Sequence, residues 1–406
     1  MLPDSNTLGL LVPHDAEFSK IEKVRPFEPY NDLVVDFLDS WSKRLLANQE
    51  SRLFPDVITF AFWIRKGHIN QYRSTFLKNH VEELRLGRGI VFHIAPSNVP
   101  INFAYSLVMG LLAGNANIVR VSSKDFRQVM ILSNELNSLL QEEKWFELHD
   151  FITLVRYDRI QKAWTDFFSS LVDVRIIWGG DRTIDEIRES KIPARSFDVC
   201  FADRYSFCVI NADILVREEN VEDIAQGFYN DTYLFDQNAC TAPHLVVWLG
   251  KEENREKAKE RFWKAIQKYV DKHYNLAPVT AVDKLTAFCR EAMTHNWIER
   301  KQATNNMVMR LQMESLPDDI TECRSVGGYF NEYDAHSLDE LAPIVTRKFQ
   351  TMSYYGLDKQ ELLDFAKVNR LVGIDRIVPI GKTLDFEPVW DGWDLVATMS
   401  RIVIYN

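Results

Sequence analysis

Two kinds of apolar spacing follow one another along this chain, and their order predicts its architecture. Up to about Leu86 the spacing is helical. NDLVVDFLDSWSKRLLAN and PDVITFAFWIRKGHINQYRSTF place apolar residues three and four apart, punctuated by Pro26, Pro29 and Pro55. From Gly87 onward short apolar runs take turns with amphipathic ones. GIVFHIA reads as a strand, NVPINFAYSLVMGLLAG as a helix ending at Gly114, and NANIVRVS as a second strand. SKDFRQVMILSNELNSLLQEE is then a helix capped by Ser123 or Asp125, and FITLVRY a further strand. VDVRIIWGGD, the helical TIDEIRES, FDVCFAD and FCVINAD continue the alternation.

Beyond Asp213 the run VEDIAQGFYNDTYLF predicts a helix and HLVVWL a buried strand. EENREKAKERFWKAIQKYVDKHY is a long helix laced with opposite charges, and KLTAFCREAMTHNWIER predicts another. The tail GIDRIVPIGKTLDFEPVWDGWDLVATMSRIVIYN has strand character, with Pro379 and Pro388 marking turns. Strands separated by crossover helices are the signature of an α/β fold with parallel sheets. The expected division is a first domain over 1–205 with a helical lead-in, a second over 206–370, and a segment 371–406 that returns to the first domain or to an oligomer interface.

A length of 406 residues agrees with about two or three domains. The 46% apolar and 26% charged content is that of an ordinary globular chain and excludes disorder as a starting point. A net charge of −10, with Lys and Arg scattered through helices, argues against a nucleic-acid or anionic-membrane surface. The five cysteines, Cys200, Cys208, Cys240, Cys289 and Cys323, have no metal-binding spacing, so free thiols in a reducing compartment are expected. The N-terminal stretch lacks a basic region before its apolar residues, and the longest apolar run, Phe103 to Gly114, is too short for a bilayer. A cytoplasmic protein without a membrane span follows.

Two stretches carry candidate chemistry. In DQNACTAPHLVVWLG, Cys240 lies between a predicted helix and a predicted strand, where a thiol is held rigidly enough for acyl transfer. The alternative is a small buried hydrophobe. In HIAPSNVP, a strand end runs directly into a helix, the place where open α/β sheets bind ligands. Pro96 and Pro100 stiffen that turn, and Asn98 either aims its amide at a developing oxyanion or caps the helix.

HIAPSNVPINFAYSLVMGLLAGNANIVRVSSKD resembles the PWNFP…AGNxxxxKPSE stretch of the aldehyde dehydrogenase superfamily. With WGGD, DQNACTAP and the tail GIDRIVPIGKTLDFEPVWDGWDL, the resemblance narrows to the fatty-acyl or acyl-CoA reductases of the LuxC family, known from bacterial bioluminescence. It runs from about Leu86 to the C-terminus. The resemblance implies an aldehyde dehydrogenase-like fold of two α/β domains with parallel or mixed sheets, the first binding a nicotinamide cofactor. It makes Cys240 the acylated nucleophile and Asn98 an oxyanion-hole residue. Gly114 and Asn115 belong to the turn before the cofactor-contacting strand. The cofactor contacts it implies are Pro96, Ser97, Arg120, Ser122, Lys124, Trp178, Gly179 and Gly180. Arg120 replaces the usual Lys, and its planar fork suits a phosphate, so NADPH is expected over NADH. No metal is implied.

The implied reaction is reduction of an acyl thioester, carried by coenzyme A or a carrier protein, to an aldehyde. An acyl-protein synthetase is a candidate partner, and superfamily analogy suggests a homo-oligomer. Where hydrolytic relatives carry the glutamate of an ELGGK motif, this chain has VCFADRYS with Cys200 at about that position, so water-driven deacylation is not expected. The rival functions are NAD(P)-dependent aldehyde oxidation to acid or acyl-CoA, and a non-redox acyl-carrying subunit. His244 lies four residues from Cys240, about 13 Å along a strand, and reads as strand lining. Cys200 and Cys208 read as core. WDGWD, Trp390 to Asp394, either lines the acyl entrance or closes a sheet edge.

Overall fold

The structure, a computed structural model, describes residues 3–294 and 298–405. The chain divides into two compact units, 1–202 with 387–406, and 203–386, where the sequence pattern leads to divisions at 205/206 and 370/371.

The first unit opens with a strand that the sequence did not announce, β1 (Gly9–Val12), which pairs antiparallel with a later strand. Its four residues are too few to show a period. The helical lead-in follows as the short α1 (Phe18–Ile21), then α2 (Asp32–Ala47), α3 (Pro55–Trp63) and α4 (Lys66–Asn79). In α2 Asn31 caps the start by accepting from Leu33 N, and Val34, Val35, Phe37, Leu38, Trp41 and Leu45 are buried at helical spacing. Pro55 occupies the first turn of α3, where its missing N–H costs nothing.

After β2 (Leu84–Gly87), strands and helices alternate: β3 (Ile90–Ile94), α5 (Asn102–Leu112), β4 (Ala116–Arg120), α6 (Arg127–Leu140), β5 (Ile152–Arg156), α7 (Lys162–Leu171), β6 (Val174–Trp178), α8 (Asp181–Arg188) and β7 (Phe197–Phe201). Helix α6 begins after Phe126 and has no side-chain cap, so neither Ser123 nor Asp125 serves as expected. The six-stranded sheet runs β1-β5-β4-β3-β6-β7, parallel except for β1. Successive strands move outward from β3 through β4 to β5, then restart on its other side with β6 and β7. The order therefore reverses between β3 and β6, a switch point at which the strand-to-helix loops part and leave a crevice.

The second unit holds β8 (Tyr205–Asn211), the single turn α9 (Ala212–Leu215), α10 (Val221–Thr232), β9 (Pro243–Leu249), α11 (Glu252–His273), α12 (Pro278–Thr294), β10 (Ile298–Asn305), β11 (Val308–Met313), β12 (Tyr329–Asp334), β13 (Phe349–Tyr355), α13 (Lys359–Val368) and β14 (Arg376–Pro379). The helix predicted across KLTAFCREAMTHNWIER stops at Thr294; residues 295–297 lie outside those described, and Ile298 begins a strand. The seven-stranded sheet runs β10-β11-β12-β9-β8-β13-β14, parallel except for β10 with β11. Strand periodicity sorts its side chains cleanly. Phe207, Val209, Leu245 and Val247 face one core with Leu362 and Phe365 of α13, while Cys208, Ile210, Val246 and Trp248 face another with Phe228 of α10 and Phe262 of α11. Glu332, buried in β12, accepts from Trp248 Nε1 and Trp263 Nε1 and pairs with Arg310, so its charge is compensated.

The chain then re-enters the first unit. β15 (Val389–Trp390) and β16 (Trp393–Asp394) form a hairpin whose turn residues, Asp391 and Gly392, both have positive φ, the conformation that Asp-Gly favours. The short α14 (Leu395–Thr398) leads to β17 (Ser400–Val403), antiparallel to β2. Asn115 ties the return down: its Oδ1 accepts from Arg88 N and Gly89 N, and its Nδ2 donates to Met399 O at 3.0 Å. Gly114 precedes it with φ +85°, and a Cβ there would meet Phe27 O at 2.2 Å, so only glycine fits. Among the described residues no helix is long and apolar enough to cross a membrane.

Candidate active site

In the first unit the residues singled out from sequence collect at the C-terminal ends of three adjacent strands. Pro96, Ser97 and Asn98 follow β3, Arg120, Ser122 and Lys124 end or follow β4, and Trp178, Gly179 and Gly180 end or follow β6. Asn98 is exposed in the bend before α5. Its helix-capping alternative fails, because α5 starts at Asn102 with Ile101 as its cap residue.

Arg120 donates to Tyr157 O at 3.5 Å and lies 4.6 Å over the Tyr157 ring, so the ring props the guanidinium from one side. Ser122 Oγ accepts from Lys124 N, which fixes the turn that exposes the Lys124 side chain. After β6 the two glycines differ. Gly179 N donates to Phe201 O, and a Cβ on Gly179 would press on Thr183, whereas the same position on Gly180 has no neighbour within 4 Å. Gly180 is the cap residue of α8 and no side chain satisfies that helix start. An uncapped helix N-terminus with open space before it fits a pyrophosphate. Trp178 does something else: its indole is buried, stacks on Phe201 at 3.7 Å and donates to Ser106 Oγ, so it supports the turn from behind.

Beneath these loops runs a buried polar chain. Ser106 Oγ meets His93 Nδ1 at 2.7 Å, His93 Nε2 meets Asn117 Oδ1 at 3.0 Å, and Asn117 Nδ2 donates to Asn115 O. A Cβ at Gly110 would fall 1.8 Å from Asn117 Oδ1, so the glycine makes room for this chain. Burial pushes His93 down to about 4, and it is neutral near pH 7.

In the second unit Cys240 stands partly exposed in the turn between α10 and β9. The turn is built from left-handed backbone: Asp236 and Gln237 have φ of 52° and 61°. Gln237, 1% exposed, holds it in place with four hydrogen bonds. Its Nε2 donates to Pro243 O and Tyr329 O, and its Oε1 accepts from Gly328 N and Tyr329 N. Gly327 N donates to Asp236 O, and the buried Lys284 donates to Gly327 O at 2.7 Å and to Asn306 O. Burial lowers Lys284 to about 8.

Ser206, at the start of β8, locks the Cys240 backbone. Its Oγ donates to Cys240 O at 2.7 Å and accepts from Thr351 N of β13. The ladder of β8 is irregular on both sides at this level, between Ser206 and Phe207 against β9 and between Phe349 and Met352 on β13. Such bulges re-aim side chains next to active sites. Here Gln350, 2% exposed, donates through Nε2 to Cys240 Sγ at 3.4 Å.

Gln350, Ser206 and the anchoring role of Gln237 were missed from the sequence, because none of them carries a motif of its own. His244 is buried, packs on the Tyr205 ring and is pushed down to about 3 by burial, with Arg324 adding to the effect, so it remains neutral in the strand as expected. None of the five cysteines is in a disulfide. Burial raises the thiols of Cys200, Cys208 and Cys323, the last to about 12, which keeps all three protonated. The Asp203 carboxylate is engaged by Arg324. Among the described residues no group of His, Cys, Asp and Glu is arranged to hold a metal.

The chain matches the family described as acyl-CoA reductase (LuxC) over residues 67–404. It is 21% identical over 384 residues to a long-chain acyl-protein thioester reductase of Aliivibrio fischeri, covering 90% of this chain and 74% of that one. To the long-chain acyl-protein thioester reductase of Vibrio harveyi it is 24% identical over 174 residues, 42% of this chain and 34% of the relative. Among solved structures, the fold is similar to a glyceraldehyde-3-phosphate dehydrogenase of Methanocaldococcus jannaschii complexed with NADP (TM-score 0.66, 12% identity, 95% of this chain and 91% of that one). It is also similar to a NAD-dependent benzaldehyde dehydrogenase of Corynebacterium glutamicum (TM-score 0.64, 12% identity, 99% and 95%). The fold is that of the aldehyde dehydrogenases, and the chain belongs to the acyl-CoA reductase (LuxC) family.

Proposed function

We infer that this protein reduces an acyl thioester to an aldehyde through an acyl group carried on Cys240. The observation that supports this most is the rigid turn that presents a partly exposed thiol while the buried cysteines stay protonated. Cys240 attacks the thioester carbonyl and the carrier thiol departs; the family resemblance gives the Asn98 amide the role of donating to the oxygen as it gains charge. Coenzyme A and a protein thiol are the two candidate carriers, and the names of the bacterial relatives favour the protein thiol. Pro96 and Ser97 shape the loop that holds Asn98 in place. A nicotinamide, when bound, would supply the hydride that reduces the enzyme thioester to a thiohemiacetal. That species then expels Cys240 as the thiolate and releases the aldehyde.

Gly179, Gly180 and the start of α8 would hold the pyrophosphate of the cofactor, with Arg120, Ser122 and Lys124 at its adenosine end. NADPH is the preferred form in this reading, because the Arg120 fork matches a phosphate better than a hydroxyl.

Mass spectrometry after incubation with an acyl thioester and no reductant tests the nucleophile. One acyl adduct is expected on wild type and none on Cys240→Ala, which should keep its fold and its affinity for NADPH. An adduct that persists in the variant would sink the assignment. Titration with NADPH and NADH separates the redox function from that of a mere acyl-carrying subunit, for which neither would bind.

A further inference from the structure

The sequence around Cys240 supplies no positive helix end. The chain arrives from the C-terminal end of α10 and leaves into the strand β9, so neither adjoining element offers the helix N-terminus that stabilises many reactive thiolates. What the structure sets against the sulfur is a carboxamide. Gln350 Nε2 donates to Cys240 Sγ at 3.4 Å, and the side chain is held there by burial and by the bulge at the start of β13. Thr351 N, next along the bulge, is fixed through Ser206 Oγ to Cys240 O, so the amide and the nucleophile share one frame.

We propose that Gln350 is a catalytic residue with two tasks: its N–H donates to the Cys240 thiolate, and its lack of charge keeps water beside the acyl group unactivated, so that the thioester survives until it is reduced. The first task follows from donor chemistry, since an amide N–H bonds a charged acceptor more strongly than a neutral one. The second follows from position. A group that touches Sγ lies beside the carbonyl carbon bonded to that sulfur, the place from which a carboxylate could take a proton from water. Hydroxide would then add to the acyl carbon, the C–S bond would break, and the proton would pass from the carboxylate to the departing Cys240 thiolate, leaving a carboxylic acid. A carboxamide cannot take that proton. The proposal rests on Cys240 being acylated, but its first task is measurable without any acyl donor.

Three proteins are compared: wild type, Gln350→Met, which keeps the length and removes the donor, and Gln350→Glu. Iodoacetamide alkylation of Cys240 is followed against pH by mass spectrometry, with thermal unfolding as the fold control. At neutral pH the Met variant should be alkylated about tenfold more slowly, and its pH midpoint should lie higher, as expected for one lost hydrogen bond to a charged group. The Glu variant should show the same direction. Its acyl-enzyme, loaded from an acyl thioester without reductant, should decay to free acid at least about tenfold faster than wild type, the low end of general-base effects. Superimposable alkylation profiles for wild type and the Met variant would overturn the first task, and an unchanged acyl lifetime in the Glu variant would overturn the second. A wild type that is alkylated normally yet takes up no acyl group would instead remove the acyl-enzyme reading, leaving the thiolate contact to be judged by alkylation alone.

Discussion

The two sheets present their chemistry at opposite ends. The first unit gathers Asn98, Arg120 and Gly180 at the C-terminal ends of β3, β4 and β6, astride the reversal in strand order. The second unit gathers Cys240, Ser206 and Gln350 at the N-terminal ends of β9, β8 and β13. At a C-terminal end the parallel fold itself provides ligand-binding parts, because each strand leads into a helix whose free N–H groups face outward. At an N-terminal end it provides none. There the site is assembled from irregular parts: two non-glycine residues with positive φ, a buried carboxamide with four hydrogen bonds and two breaks in the ladder.

The strongest way to break this contrast is at Gln237. Gln237→Leu leaves Gly328 N, Tyr329 N, Tyr329 O and Pro243 O without their side-chain partner, and should cost on the order of 4 kcal/mol of stability. Acylation of Cys240 should be lost while NADPH binding at the other sheet persists. Chemical denaturation and a cofactor titration on the same preparation check both halves, and loss of NADPH affinity in a folded variant would show that the two ends are not separable.

A second test uses acid. His93 in the first unit and His244 in the second are held neutral, at about 4 and about 3 against an ordinary 6.5. As pH falls from about 6.5 towards those values, the unfolded chain binds protons that the folded chain refuses. Stability is therefore complete above about 6.5 and is lost on acidification, at up to about 1.4 kcal/mol per pH unit for each histidine. In the second unit Asp231 and Glu291 are pushed up by burial, to about 6 and about 7, and act in the opposite sense. They cost stability where they are ionised and recover it as the pH drops. Hydrogen exchange at pH 7 and pH 5 should accordingly show protection falling first in the sheet around His93, and earlier loss in the second unit would contradict that ordering.

The smallest expected effect belongs to Arg120. Arg120→Ala should raise KM for NADPH roughly tenfold and KM for NADH much less, as befits one lost charge-assisted contact. Equal changes would mean that Arg120 serves only to pack on Tyr157.

The same contrast explains what could be read from the residues alone. Regular parts were legible: the apolar runs from GIVFHIA to HLVVWL became β3 through β9 in the expected order, and DQNACTAP fell in the turn between α10 and β9. Irregular parts were not. Gln350 is a polar residue in a strand, and only the bulge turns it toward Cys240. Gln237 carries no sign of its anchoring role until its four partners, three of them on residues about ninety positions away, are in view. The WDGWD stretch resolved into a hairpin because its Asp-Gly pair sits at the turn, a signal that was present but unused.

The way Asn115 grips Met399 O has a consequence for how this protein is made. The first unit is assembled from two separated stretches, 1–202 and 387–406, whereas the second is one continuous stretch, 203–386. On the ribosome, domains usually complete themselves in the order in which they emerge. Here that order is inverted: β2 waits for β17, and Arg85 and Arg88 wait for the carbonyls of Ala397 and Thr398, until residue 403 has been translated. The second unit can mature while the first is still unfinished, so a chain released after residue 390 would carry a structured Cys240 turn and a first unit that still lacks its final strand.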